Sequence, residues 1–338
     1  MCTLTGKPKF LGKISARSAF VIRLGGTLIA GILLVYLLSQ QGWQEIGAAV
    51  RQIPVWRFVL ALALILISRL AVSGRWYVLL RSAGVGMSLG QSIRINFAGL
   101  FASNFLPTTI GGDVIRLAGA VQLNYDTVIS AASLVVDRLV GMAGMAMILP
   151  FGLPRFLMIE VGETSFYQFY QARLIACAAA LPLGKWWRTI LERSSKVFRQ
   201  LIKAISIWIG QPKALAISLL YSWVHMVCIF GAIWLFFGGM GQDIPILLVG
   251  GLYGLVYFVT LLPVSINGYG LQEVSMTFIF SVMAGATVQS SLSAALLFRT
   301  AMMLGSLPGA AFVPGLLAGT KGRSEVVAGT NASASQRQ

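Results

Sequence analysis

The chain has 338 residues and only ten acidic ones, and three of these, Asp113, Asp137 and Glu273, stand in or against apolar sequence. Each has an arginine at a spacing that permits pairing. Asp113 and Arg116 are three residues apart and share one face of a helix. Asp137 is followed by Arg138, which points elsewhere on a helix, so Asp137 is expected to pair across a bundle, while Glu273 has Arg299 or Arg138 as partner. A carboxylate in hydrocarbon is costly unless protonated, paired or hydrated, so these sets mark either a substrate pathway or buried pairs that fix helix packing.

The residues around them repeat. Leu106-Pro107-Thr108-Thr109-Ile110-Gly111-Gly112, followed by Asp113, returns as Leu262-Pro263-Val264-Ser265-Ile266-Asn267-Gly268, with Glu273 shortly after. Arg138 lies 25 residues beyond Asp113, and Arg299 lies 26 beyond Glu273. Proline and glycine break both apolar runs. Broken helices expose backbone groups that only a protein-lined or water-filled cavity satisfies, and half-helix N-termini attract anions. Arg116, Arg138 and Arg299 add guanidinium groups, which bind phosphate in a bidentate manner. The expected substrate site therefore suits a lipid phosphate or other anionic headgroup and comprises Asn104, Pro107, Gly111, Gly112, Asp113, Arg116, Asp137, Arg138, Pro263, Asn267, Gly268, Glu273 and Arg299.

Other chemistry finds little support. Cys2, Cys177 and Cys228 are isolated, and His225, the one histidine, lies in an apolar run where a hydrogen-bonded packing role is expected. No nucleophile–base set, nucleotide loop or metal cluster is recognisable, so no catalytic residue, metal or cofactor is expected.

The elements that must position these residues are membrane helices. Hydrophobic residues make up 57% of the chain and charged ones 11%, with a mean hydropathy of +0.81, which leaves a soluble fold no polar skin. Apolar runs occupy 24–38, 58–68, 142–154, 214–239, 244–267 and 300–320. They lack period-two alternation, which argues against a barrel and for an all-α, polytopic helical bundle.

The net charge of +16 is placed as in a membrane protein. Lysine and arginine crowd 1–23, 185–213 and 321–337, so both termini and the 185–213 connector are expected in the cytoplasm. No aromatic-and-basic module points to nucleic acid. The expected spans include 24–39 and 56–75, after which Arg75, Arg81 and Arg94 mark a cytoplasmic stretch. Residues 95–124 form a re-entrant hairpin, 127–151 a full span, 152–170 an outer connector, 169–184 a return and 214–240 a further exit. The second motif is then entered from the opposite face, so halves at about 95–151 and 244–318 form an inverted repeat, with roughly six to eight spans and two re-entrant broken-helix hairpins. The tail, 320–338, reads as disordered and cytoplasmic.

Residues 104–116, Val136-Asp137-Arg138-Leu139-Val140-Gly141 and 262–273 resemble the successive motifs of the flippase-like membrane domain of lysylphosphatidylglycerol synthases, over about 24–319. The resemblance implies a multi-pass inner-membrane protein that moves phospholipids, glycolipids or polyprenyl-linked lipids between leaflets. Asp137 replaces the glutamate more frequent in that family. The soluble domain that transfers an aminoacyl group in full-length synthases is not expected in this chain, which ends about twenty residues after its last apolar run. A flippase is thus expected more than an enzyme. The alternative is a membrane-embedded transferase, or an accessory subunit of a lipid- or glycan-modifying pathway, with Asp113 or Glu273 as base. Membrane lipids are the expected partners, alongside a homo-oligomer or a pathway enzyme.

Overall fold

The computed structural model describes residues 51, 53–104, 111–154, 206–262 and 269–312. The expectations for 1–50, for Pro107, Pro263, Asn267 and Gly268, for 155–205 and for 313–338 lie outside the described residues. In chain order the helices are α1 (Val55–Ser82), α2 (Leu89–Ser103), α3 (Gly111–Gln122), α4 (Thr127–Ile148), α5 (Pro212–Gly239), α6 (Ile246–Thr260), α7 (Leu271–Met283) and α8 (Val288–Leu304). Short 3-10 turns, Leu149–Phe151 and Leu307–Ala311, extend α4 and follow α8. Among the described residues there is no strand. Among the described residues four helices, Val55–Ser82, Thr127–Phe151, Pro212–Gly239 and Val288–Ala311, are long and apolar enough to cross a membrane.

Local chemistry sets the helix ends. The expected arm beginning at residue 95 starts earlier, at Leu89, because Ser88 and Gln91 form a capping box. Gln91 N donates to Ser88 Oγ at 3.2 Å, and Ser88 N donates to Gln91 Oε1 at 2.9 Å. Asp126 caps α4 by accepting from Ile129 N at 2.7 Å, and Thr287 caps α8 by accepting from Ser290 N at 3.2 Å. α1 ends in a Schellman turn, in which Val85 N reaches Leu80 O, Gly84 N reaches Arg81 O and Gly84 takes φ +81°.

α1 therefore runs to Ser82, seven residues past its expected end at Arg75. Arg75 does not mark a loop. It is 7% exposed inside the helix, and the apolar run resumes beyond it through Val78, Leu79 and Leu80.

α1 and α5 form the most extensive pairing and run antiparallel, with Arg57 against Gly238, Leu64 against Gly231 and Tyr221 against Gly74. α2 and α3 fold back on each other as a tighter hairpin. A Cβ on Gly99 would meet Gly112 O at 2.7 Å, and one on Gly112 would meet Gly99 O at 2.9 Å, so only glycine lets these backbones approach. The arms, of 15 and 12 residues, are about 22 and 18 Å long, shorter than the roughly 30 Å hydrocarbon layer. α6 and α7, of 15 and 13 residues, are as short. The turn after α8 packs on α2, with Gly309 against Phe97 O.

The core lies between α1, α5, α6, α7 and α8, where Phe237 stacks on Phe280 at 4.8 Å and Phe298 meets Tyr253 edge-on at 5.5 Å. Leu60, Ile67 and Leu70 of α1 and Leu220, Trp223 and Val227 of α5 remain exposed, as suits helices facing lipid tails. Gly112→Val should destabilise the bundle by about 1–3 kcal/mol, since the added side chain has backbone rather than a flexible group in its way. Thermal unfolding of the purified protein in detergent measures this, and an unchanged midpoint would mean that the α2–α3 contact carries no weight.

Candidate functional site

α1, α3 and α4 bring their charged residues to one place. Asp137 of α4, 2% exposed, accepts from Arg75 Nε of α1 at 2.7 Å on one oxygen and from Arg116 Nη1 and Nη2 of α3 at 3.1 Å on the other. Arg116 Nη1 also donates to Asp113 Oδ1 at 3.1 Å, one turn away on α3 as the spacing requires. Arg138 Nε closes the chain of ion pairs on Asp113 Oδ2. Arg75 Nη1 donates to Ser222 Oγ of α5 at 2.9 Å, which ties the cluster to the longest pair of helices.

Small and aromatic neighbours make room for this charge. A Cβ on Gly141 would meet Arg75 Nη1 at 2.9 Å, and one on Gly99 would meet Arg116 Cγ at 2.9 Å. The Arg116 guanidinium lies 4.5 Å from the centroid of the Trp76 ring, whose Nε1 donates to Ser133 Oγ at 3.0 Å. Cation, carboxylate and aromatic face thus replace the water that the guanidinium gives up.

The second copy of the motif builds a shorter version. Glu273 of α7 accepts from Arg299 Nε of α8 at 2.5 Å, so of the two partners open to Glu273 in the sequence, Arg299 is the one used. In both copies the acid one turn into a short helix is met by the Nε of an arginine on the next helix, over separations of 25 and 26 residues. Arg299 also lies over the Tyr269 ring, 4.8 Å from its centroid.

The two copies meet at their ends. Tyr269 OH donates to Asn104 O at 3.0 Å, and Asn104 Nδ2 donates to Ser306 Oγ at 2.7 Å. On α6, Tyr253 stands within electrostatic reach of Arg299, and Tyr257 stands within reach of Arg75, Arg138 and Asp137. One face of α6, four residues apart, therefore looks toward both ion-pair sets.

Of the residues expected from sequence, Asp113, Arg116, Asp137 and Arg138 form one cluster, Glu273 and Arg299 form a pair, and Asn104 joins the two copies. Gly111 and Gly112 open α3. Arg75, Trp76, Tyr253, Tyr257, Tyr269 and Ser306 were missed. The resumption of apolar sequence after Arg75 was the available signal for the first, whereas the others look like ordinary helix residues until the helices are assembled. His225 Nδ1 lies 2.6 Å from Ser68 Oγ. Among the described residues, no group of three or more His, Cys, Asp or Glu side chains is placed to hold a metal ion.

Long apolar helices that gather arginines and carboxylates inside the bundle define a multi-pass helical membrane protein with an internal polar site. The model of the family described as lysylphosphatidylglycerol synthase TM region matches residues 23–309, and the chain belongs to that family. The family relates it to lipid modification or translocation. No curated protein matches the chain.

Asp137 holds two buried guanidinium groups, whereas Asp113 is 15% exposed and one of its partners, Arg138, is 41% exposed. Asp137→Asn should therefore destabilise the protein by about 3–5 kcal/mol, as expected when a buried charge loses its partner, and Asp113→Asn by less. Paired melting curves in detergent decide this, and an equal or reversed order would contradict the assignment of Asp137 as the structural clamp.

Proposed function

We propose that the protein is a lipid translocator of the inner membrane, in which two broken-helix hairpins form an inverted pair around a polar cavity that admits an anionic headgroup while the acyl tails stay in lipid. The observation that carries this reading is the repeated pairing of a short-helix carboxylate with the Nε of an arginine on the next helix, Asp113 with Arg138 and Glu273 with Arg299. Repeated short helices at corresponding places are how alternating-access carriers build a site between two halves. The halves are taken as about 95–151 and 244–318, within a membrane domain of 24–319.

The roles divide by exposure. Asp137, Arg75 and Arg116, nearly enclosed, hold the helices, while Arg138, with 41% of its side chain exposed, is the group that meets the headgroup first. Asn104, Asp113, Glu273 and Arg299 line the remainder. Membrane lipids with a phosphate or other anionic headgroup are the substrate class, since guanidinium groups match phosphate geometry. Both termini face the cytoplasm in this arrangement, with the basic 1–23 and 185–213 stretches on that side.

Reconstitution in liposomes tests the transport step. Fluorescent phosphatidylglycerol in the inner leaflet should become accessible to an external quencher with wild-type protein, and Arg138→Ala should slow this at least about ten-fold, the equivalent of one charge-assisted contact, with its melting midpoint kept. Covalently altered lipid, rather than moved lipid, would replace this reading by that of a membrane transferase. Sidedness is checked in a background lacking Cys2, Cys177 and Cys228. A cysteine at Gly86 should react with impermeant reagent only from the cytoplasm and one at Gln242 only from outside. Labelling in the opposite sense would overturn the stated orientation, and labelling of both from one side would overturn the inverted arrangement.

A further inference from the structure

Arg69 is used by none of the ion pairs described above. It lies at the middle of α1, fourteen residues from Val55 and thirteen from Ser82, which places it about 20 Å along the helix from either end. A side chain at that depth cannot snorkel to water. Arg75, Arg116, Arg138 and Arg299 each hold a carboxylate. Among the described residues Arg69 holds none. Its Nη2 donates to Met302 Sδ at 3.1 Å, a weak acceptor that does not offset a buried positive charge, and its Nε is enclosed with no acceptor.

The surroundings of Arg69 point toward an anion. Met302 lies one turn beyond Arg299 on α8, so contact with Met302 sets Arg69 beside the helix face that carries Arg299. Tyr253 stands within electrostatic reach of both guanidinium groups. Arg69, Tyr253 and Met302 are all partly exposed, and 17% of the Arg299 side chain is exposed, so this corner of the bundle has an open side. His225, the titratable neighbour on α5, is engaged with Ser68, and Glu273 is taken by Arg299.

We propose that Arg69, with Arg299 and the Tyr253 hydroxyl, forms an anion seat at mid-helix depth that binds the phosphate of a lipid headgroup. The ligand supplies the negative charge that the described residues do not, and the two guanidinium groups present several N–H donors to phosphate oxygens while the phenol donates a further one. The lipid as the source of the phosphate rests on the translocation reading above; the need for an anion rests on Arg69 alone. An empty seat leaves the arginine uncompensated, so ligand binding also stabilises the fold.

The test uses the purified full chain in neutral detergent, with dihexanoyl phosphatidic acid, inorganic phosphate and dihexanoylglycerol as probes and affinities taken from ligand-induced melting shifts. Phosphatidic acid should bind at least about ten-fold tighter than either of the others. Arg69→Gln should weaken it roughly ten- to hundred-fold, the range for hydrogen bonds to a charged group. Arg69→Lys should recover much of the loss, and Tyr253→Phe should cost several-fold.

Without ligand, Arg69→Gln should melt at the same temperature as wild type or higher, because it removes a buried charge that has no partner. A purely structural Arg69 would give a lower midpoint or no folded protein, and that result would overturn the proposal. So would an unchanged affinity in Arg69→Gln. Inorganic phosphate binding as tightly as phosphatidic acid would overturn the lipid assignment and make the seat one for free anions. Arg69-dependent binding by a wild type that moves no lipid in liposomes would leave the seat standing and remove translocation. Normal lipid movement by Arg69→Gln with unaltered affinity would do the reverse.

Discussion

A carboxylate enclosed among membrane helices must be met by cations, and Asp137 is met from two directions. Arg75 reaches it from α1 and Arg116 from α3, while the carboxylate itself belongs to α4. Loss of either arginine leaves charge in a medium that solvates it poorly, so the three helices are restrained in depth and rotation together. Gly99 and Gly141 leave space for the two guanidinium stems, and Trp76 covers one of them. The hairpin of α2 and α3 is held to the long helices through this group, through Ser92 and Asn96 on Ser73, and through apolar packing around Trp76, Leu80 and Ile95.

From that anchor the polar network spreads outward with increasing exposure, through Arg116 to Asp113 and from Asp113 to Arg138. Glu273 and Arg299 repeat the outer link on α7 and α8, and among the described residues no second buried carboxylate stands beside them as Asp137 does beside Asp113. The two copies are therefore alike in local design and differ in the helices they are tied to. The first is bolted to α1 and α5, while in the second Arg299 meets Glu273 and lies over the Tyr269 ring.

Much of this organisation follows from spacing along the chain. The i, i+3 relation of Asp113 and Arg116 is a consequence of helix geometry, and it holds. The separations of 25 and 26 residues, which allow for a short helix, a turn and part of the next helix, return as actual ion pairs. Helix starts were less legible where a cap outweighed hydropathy, as at Ser88 and Gln91, which begin α2 six residues before the apolar run at Ile95. Arg75 was misread as a loop residue because loop charge is a statistical signal, whereas its burial depends on Asp137 sixty-two positions away.

By itself the sequence determined a helical membrane protein and the one-turn spacing of Asp113 and Arg116, because hydropathy and helical period act within a turn or two of where they stand. Which charges pair across the bundle was decided by tertiary structure. Asp137 chooses Arg75 and Arg116, Tyr269 reaches Asn104, and among the described residues Arg69 meets a sulfur in place of a carboxylate. Those outcomes depend on how closely backbones approach at Gly99 and Gly112 and on which faces then oppose one another. Side-chain pairing over such distances in sequence is set by packing, and packing is a property of the assembled helices.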